Sequence, residues 1–128
     1  MKKSSGYRKD LGNWGESFAC QWLQERGYTL VKQNHHGPHG EIDLIMRLDD
    51  MLVAVEVKTR RSKAFGYGED SITKKKLKAI LTTMTAFVID NPELPNAWRL
   101  DVIAVEPNKG KPTEVHHFEN VFMGDLDV

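Results

Sequence analysis

The 128-residue sequence predicts an α/β fold in which a small mixed sheet is flanked by helices. Three observations carry this. An amphipathic helical stripe, Leu11, Trp14, Phe18 and Trp22, opens the chain. Two apolar, β-rich runs, "EIDLIMRL" and "MLVAVEVKT", follow with only "DD" between them. A second helical pattern then precedes another β-rich run, "AWRLDVIAVE". The resulting order, α-β-β-β-α-β-β, needs helices to cover a sheet that is not purely antiparallel.

The first ten residues are polar and are expected to be flexible. The helix is expected from Asp10, with Ala19 and Leu23 beside its stripe and Gly27 at its C-cap. "YTLVKQN" reads as a short strand, and the glycines and proline of "HHGPHG" as a loop. "EIDLIMRL" and "MLVAVEVKT" form a hairpin around the "DD" turn. "RRSKAFGYGED" is a basic loop with two aromatic residues. Asp70 or Ser71 caps the second helix, in which Ile72, Leu77, Ile80, Leu81, Met84 and Val88 recur at helical spacing. "NPELPN" stops it, "PNKGKP" is a turn, and "TEVHHFENVF" is an edge strand. With no repeat, low-complexity tract or composition break, residues 1–128 read as one domain.

A lone cysteine, Cys20, excludes an internal disulfide and fits a reducing compartment. The basic start lacks the apolar run of a signal peptide, and no stretch approaches the ~20 apolar residues that span a bilayer. A cytoplasmic protein without membrane contact is expected. The formal net charge is zero, but it is segregated. Residues 56–78 hold eight basic side chains against three acidic, a net +5, and residues 101–128 carry a net −4. A basic segment of that kind fits a phosphate-binding surface.

The charges inside the strands are the unusual feature. Residues two apart in a strand share a face, so Glu41 pairs with Asp43 and Glu56 with Lys58. A hairpin can bring Asp43, Glu56 and Lys58 to one face. A Glu-x-Lys on a strand is ordinarily a solvated face with a weak ion pair. Here "LVAVEVK" is apolar on both faces up to Glu56, as in a central strand. Ionised groups beside buried positions cost several kcal/mol unless they are paired or bind a metal. Two carboxylates with an ammonium make a hard-oxygen site suited to Mg²⁺ or Mn²⁺.

Other candidates have plainer readings. His35, His36 and His39 could bind Zn²⁺, but no cysteine or carboxylate spacing completes a standard site, so a polar loop is the simpler reading. His116 and His117 alternate faces on an exposed edge, and Trp14, Phe18 and Trp22 read as core rather than as base-stacking platforms. Lys74, Lys75 and Lys76 crowd a helix N-terminus, where the dipole disfavours cations, which makes sense if an anion docks there.

"LGNWGESFACQWLQERGYTLVKQN", "GEIDLI", "VEVKTR", "FGYGEDSITKKK" and "WRLDVIAVE" together resemble the YraN-like family of small bacterial proteins, UPF0102. "GEIDLI" followed by "EVK", with thirteen positions from Asp43 to Glu56, is similar to the PD-(D/E)xK nuclease superfamily, including the archaeal Holliday junction resolvases. The resemblance covers about residues 11–122 and implies a restriction-endonuclease-like fold. It makes Asp43 and Glu56 the metal carboxylates, Lys58 the motif lysine and Glu16 a first-helix glutamate that positions the metal. Ile42 stands where the motif's proline would be. The expectation is a Mg²⁺- or Mn²⁺-dependent endonuclease acting on branched or structured DNA. Arg60, Arg61, Lys63, Lys74, Lys75 and Lys76 would clamp the backbone, and a homodimer is left open. The alternative is a non-catalytic DNA-binding module with a nuclease-like fold that supports a partner enzyme. A histidine-based metal-storage or metal-sensing protein ranks last.

Overall fold

The computed structural model of the chain describes residues 3–60 and 72–121, with side chains from residue 9 onward. The elements are α1 (Lys3–Gln24), β1 (Thr29–Gly37), β2 (Gly40–Leu48), β3 (Met51–Thr59), α2 (Lys74–Asp90), β4 (Trp98–Asn108) and β5 (Lys111–Phe118). The strands form one sheet in the order β1-β2-β3-β4-β5. Only the β3–β4 pair is parallel, and α2 forms its crossover. This is the expected α-β-β-β-α-β-β architecture, consistent with a restriction-endonuclease-like fold.

Strand periodicity sorts the side chains into two cores. Leu44, Met46, Val53, Val55, Ile103 and Val105 pack with Ala19 and Leu23 of α1. Ile42, Ile45, Leu52, Ala54 and Leu100 pack with Leu77, Ile80, Met84 and Phe87 of α2. The helices therefore cover opposite faces of the sheet, and β3 and β4 are buried on both sides. That is why "LVAVE" shows no polar alternation.

The turns follow local chemistry. Gly27, at φ +95°, ends α1, with the Tyr28 N–H donating to the Leu23 carbonyl at 3.1 Å. Asp49, at φ 53°, opens the two-residue hairpin between Leu48 and Met51.

Several expectations need correction. The first helix begins at Lys3, not Asp10. β1 continues through His35 and His36 to Gly37, which pairs with Gly40, so the "HHGPHG" loop shrinks to a turn at Pro38 and His39. The cause is packing: a Cβ on Gly37 would lie 2.6 Å from Thr83 Cγ2, and one on Gly40 would lie 3.2 Å from Ala79 Cβ. Helix α2 thus presses on the end of this hairpin, where a side chain at Gly37 would force Thr83 to shift. The N-cap of α2 is Thr73, whose hydroxyl accepts the Lys76 N–H at 3.1 Å. Asp70, Ser71 and the aromatic loop lie outside the described residues. Leu81 faces solvent rather than the core, and Trp14 is exposed while Phe18 and Trp22 pack on the α1 core. Among the described residues no helix is long and apolar enough to cross a membrane.

Candidate active site

The β2–β3 ladder runs from Leu48↔Met51 to Leu44↔Val55 and ends there. The next residue of β2 is Asp43, and its Oδ2 accepts the Val57 N–H at 2.8 Å. A side chain replaces the strand carbonyl, so the sheet parts while β2 stays paired to β1 through Ile42 and Glu41. Glu56 projects beside this opening and is only 3% exposed.

Glu56 has two cations on one oxygen. Its Oε2 lies 3.0 Å from Lys76 Nζ and 3.7 Å from Lys58 Nζ, whereas its Oε1 is buried without a hydrogen-bond partner. Lys58 arrives by strand periodicity. Lys76 arrives because the Thr73 cap aims the first turn of α2 over the opening. Sequence reasoning assigned Lys76 to the DNA backbone; the structure adds a contact with Glu56, because the α2 crossover folds onto that face.

Glu16 is delivered by a close approach. A Cβ on Gly15 would lie 1.8 Å from Thr59 Oγ1, so glycine lets α1 lie against the end of β3. A cleft of about 210 Å³ lined by Leu11, Gly12, Glu16, Val57 and Thr59 runs along this contact. Asn34, in the left-handed region at φ 51°, completes the group. With its amide oriented to donate, it reaches Glu41 Oε2 at 2.8 Å and Glu16 Oε1 at 3.0 Å. A second cleft, about 230 Å³, is lined by His39, Glu41, Thr73, Lys75 and Lys76.

The electrostatics reflect four carboxylates in one region. Burial first, and then the neighbouring Glu56 charge, push Asp43 up to about 7, against the opposing Val57 N–H and Lys76. Burial and Glu41 also raise Glu16, which the Asn34 hydrogen bond partly offsets. Burial pulls the Lys76 ammonium down, but Glu56, Asp43 and Glu41 outweigh it and hold its pKa above the usual lysine value. Clustered carboxylates of this kind can hold a positive ligand.

The remaining predicted residues lie around this group. The Arg60 N–H donates to the Val105 carbonyl at 2.9 Å, which ties the end of β3 to β4. Lys74 and Lys75 are exposed on the first turn of α2. Arg61 and Lys63 lie outside the described residues. His35 stacks edge-on against Phe87 at 5.0 Å, and burial lowers its pKa.

The β5 histidines do not form the exposed edge expected of them. His117 Nε2 is 2.7 Å from Asp101 Oδ2, packed against Trp22 and Tyr28. Asp101 is fully buried and also accepts from Arg99 and the Asn120 N–H. Burial would raise its pKa, but these donors outweigh it and hold Asp101 below the usual carboxylate range. The cross-strand network clamps β5 to β4.

Sequence reasoning missed Asn34, the part played by Glu41 and a second group on β4 and β5. Among the described residues, the three metal-capable side chains whose ligand atoms fall within 4.8 Å of one another are Glu106, Glu114 and His116. Such a group could hold a metal ion, whereas Glu16, Asp43 and Glu56 are spread more widely. Part of the signal was in the sequence: "TEVHH" alternates so that Glu114 and His116 share a face, and the β4–β5 register adds Glu106.

Comparison with known proteins agrees with the motif blocks. Residues 15–105 match the model of Uncharacterised protein family UPF0102. A UPF0102 protein of Syntrophomonas wolfei is 35% identical over 114 residues, covering 89% of this chain and 98% of the relative. One from Anaeromyxobacter dehalogenans is 38% identical over 118 residues, covering 92% and 87%. One from Roseiflexus castenholzii is 39% identical over 103 residues, covering 79% and 82%. The family match spans the opening at Asp43, the β3 carboxylate and lysine, and the α2 lysines, and the chain belongs to family UPF0102.

Proposed function

We propose that this protein is a Mg²⁺-dependent endonuclease, active also with Mn²⁺, that hydrolyses phosphodiester bonds of branched or otherwise structured DNA. One observation carries the reading. Asp43 and Glu56 gather where β2 and β3 part, near enough for Glu56 to help raise Asp43 to about 7, with two lysines against Glu56. The donor set fits Mg²⁺, which prefers one or two carboxylates with water and phosphate oxygens. The buried, unpartnered Oε1 of Glu56 is a ligand atom in need of a cation. When bound, the ion supplies an acidified water and charge neutralisation at the scissile phosphate.

The side chains divide the remaining work. Lys58 orients the attacking water and offsets charge developing on the phosphate. Lys76, paired with Glu56 Oε2 at 3.0 Å, would be free to contact the DNA if that carboxylate held an ion instead. Glu16 and Glu41, held by Asn34, orient outer water. Arg60, Arg61, Lys63, Lys74 and Lys75 bind the backbone, giving largely sequence-blind affinity.

The test is a cleavage panel of linear, nicked, flapped and four-way DNA with Mg²⁺ or Mn²⁺. Cutting of a branched substrate that Asp43→Asn and Glu56→Gln abolish supports the proposal. The second reading, a non-cleaving DNA-binding module, is favoured by the Lys76 ion pair, which already provides Glu56 with a counter-ion. Salt-sensitive binding without cutting under either metal would establish that reading instead.

A further inference from the structure

Glu106 and Glu114 are direct cross-strand partners in the β4–β5 ladder, and His116 pairs with Ala104 one step along the same face. Like charges facing each other across strands destabilise a sheet unless something positive lies between them. Glu106 cannot relieve the repulsion by turning to water, being 4% exposed, and its Oε1 is buried without a hydrogen-bond partner. A buried carboxylate oxygen with no donor is costly, so it points to a missing ligand.

The other two side chains are already arranged for one. His116 Nε2 lies 3.3 Å from Glu114 Oε1. Ligand atoms of a tetrahedral Zn²⁺ shell are ~3.4 Å apart at ordinary bond lengths. The second oxygen of Glu114 is held by the Asn108 amide, which donates at 3.3 Å and also reaches the Pro112 carbonyl at 3.1 Å. Such an outer contact fixes which oxygen faces inward. The ligand atoms of all three residues fall within 4.8 Å of one another, so small side-chain rotations would close them on one ion.

We infer that Glu106, Glu114 and His116 bind a single divalent transition-metal ion, with Zn²⁺ the best fit, which ties the edge strand β5 to β4. An imidazole with two carboxylates favours Zn²⁺ over Mg²⁺, since nitrogen is a poor ligand for the harder ion. Three protein ligands leave a fourth position for water. Ladder register puts this group on the sheet face that carries Glu56 and Lys58, one strand outward. It shares no residue with the Asp43–Glu56 group, so the inference stands independently of the nuclease reading.

The test is calorimetric titration of chelator-stripped full-length protein with Zn²⁺, paired with Co²⁺ absorption spectra and melting curves. An Asp43→Asn/Glu56→Gln background removes competition from the other carboxylates. In that background one Zn²⁺ should bind per chain and raise the melting temperature. Glu106→Gln, which keeps the side-chain shape, and His116→Ala should each weaken binding by more than the ~10–100-fold typical of losing an outer partner. Both should melt cooperatively without metal and lose the Zn²⁺-dependent rise. If the background protein takes up no Zn²⁺, the inference fails. It fails equally if His116→Ala binds Zn²⁺ like its parent, which would place the ion on other histidines. Should Glu106→Gln not fold, His116→Ala alone decides.

Discussion

Asp43 is where charge, burial and backbone geometry meet, and its titration has a definite sign. Its folded pKa, about 7, stands above the ordinary aspartate value of 3.8, so the folded chain holds that proton more tightly than the unfolded one. The stabilisation from protonated Asp43 is complete below ~4 and is lost as the pH rises through 7. Metal-free protein should therefore lose up to a few kcal/mol of stability across this window, read as a falling melting temperature. Asp43→Asn should remove most of the slope and melt higher than wild type at pH 8. Millimolar Mg²⁺ or Mn²⁺ should stabilise wild type more at pH 8 than at pH 6, because the ion competes with the proton. A melting temperature indifferent to both pH and metal would remove Asp43 from any cation site. In the proposed nuclease, the corresponding test falls on Lys58. Lys58→Ala should cut the cleavage rate by ~10²–10³ while DNA affinity changes only a few-fold, since one cation is one backbone contact among several. Equal losses in rate and affinity would make Lys58 a binding residue.

Two helices deliver side chains to the sheet, and each has a weak point that can be probed. For α1 it is Gly15, whose added Cβ would meet Thr59 Oγ1 at 1.8 Å. Gly15→Ala should cost ~1–3 kcal/mol by overpacking and shift Glu16 away from the opening. Thr59→Ala removes the clashing oxygen, so the double variant should recover much of the loss. Additive costs in that cycle would show that the two residues do not press on each other. For α2 the point is Lys76, held 3.0 Å from Glu56 Oε2. An internal cation competes with an external one for the same carboxylate. Lys76→Met should accordingly tighten Mg²⁺ or Mn²⁺ binding in calorimetry while weakening DNA binding. Looser metal binding in Lys76→Met would assign Lys76 to holding the site in shape rather than to occupying it.

At the scale of the molecule, the first-turn lysines of α2 and the strand carboxylates meet on one side of the sheet. The exposed Lys74 and Lys75 lie on the turn of α2 that also brings Lys76 to Glu56, so exposed cations and the carboxylates share one side of the sheet. DNA affinity should fall steeply with salt, each phosphate contact contributing roughly 0.9 to the log–log slope. Replacing Lys74 and Lys75 together with Ala should flatten that slope by up to ~2 and leave the unfolding free energy within ~0.5 kcal/mol of wild type. An unchanged slope would mark both lysines as an ordinary solvated face.

The sequence by itself determined the element order, the two apolar runs, the Gly27 cap and the residues Asp43, Glu56 and Lys58. All of these rest on local rules: helical and strand periods, turn chemistry, and the cost of charge within an apolar strand. It also carried the family, because the motif blocks keep their order and spacing. What only the tertiary structure decided lies between elements distant in the chain. Lys76 is twenty residues from Glu56 in sequence, and nothing in "TKKKLK" says which lysine the crossover will turn inward. Gly15 and Gly37 looked like helix and loop glycines until packing against Thr59 and Thr83 gave their reason. Asn34 and Glu41 meet Glu16 only once α1 lies on the sheet. Glu106, Glu114 and His116 become a group only through the β4–β5 register, since strand alternation fixes the face of a side chain but pairing fixes its neighbours.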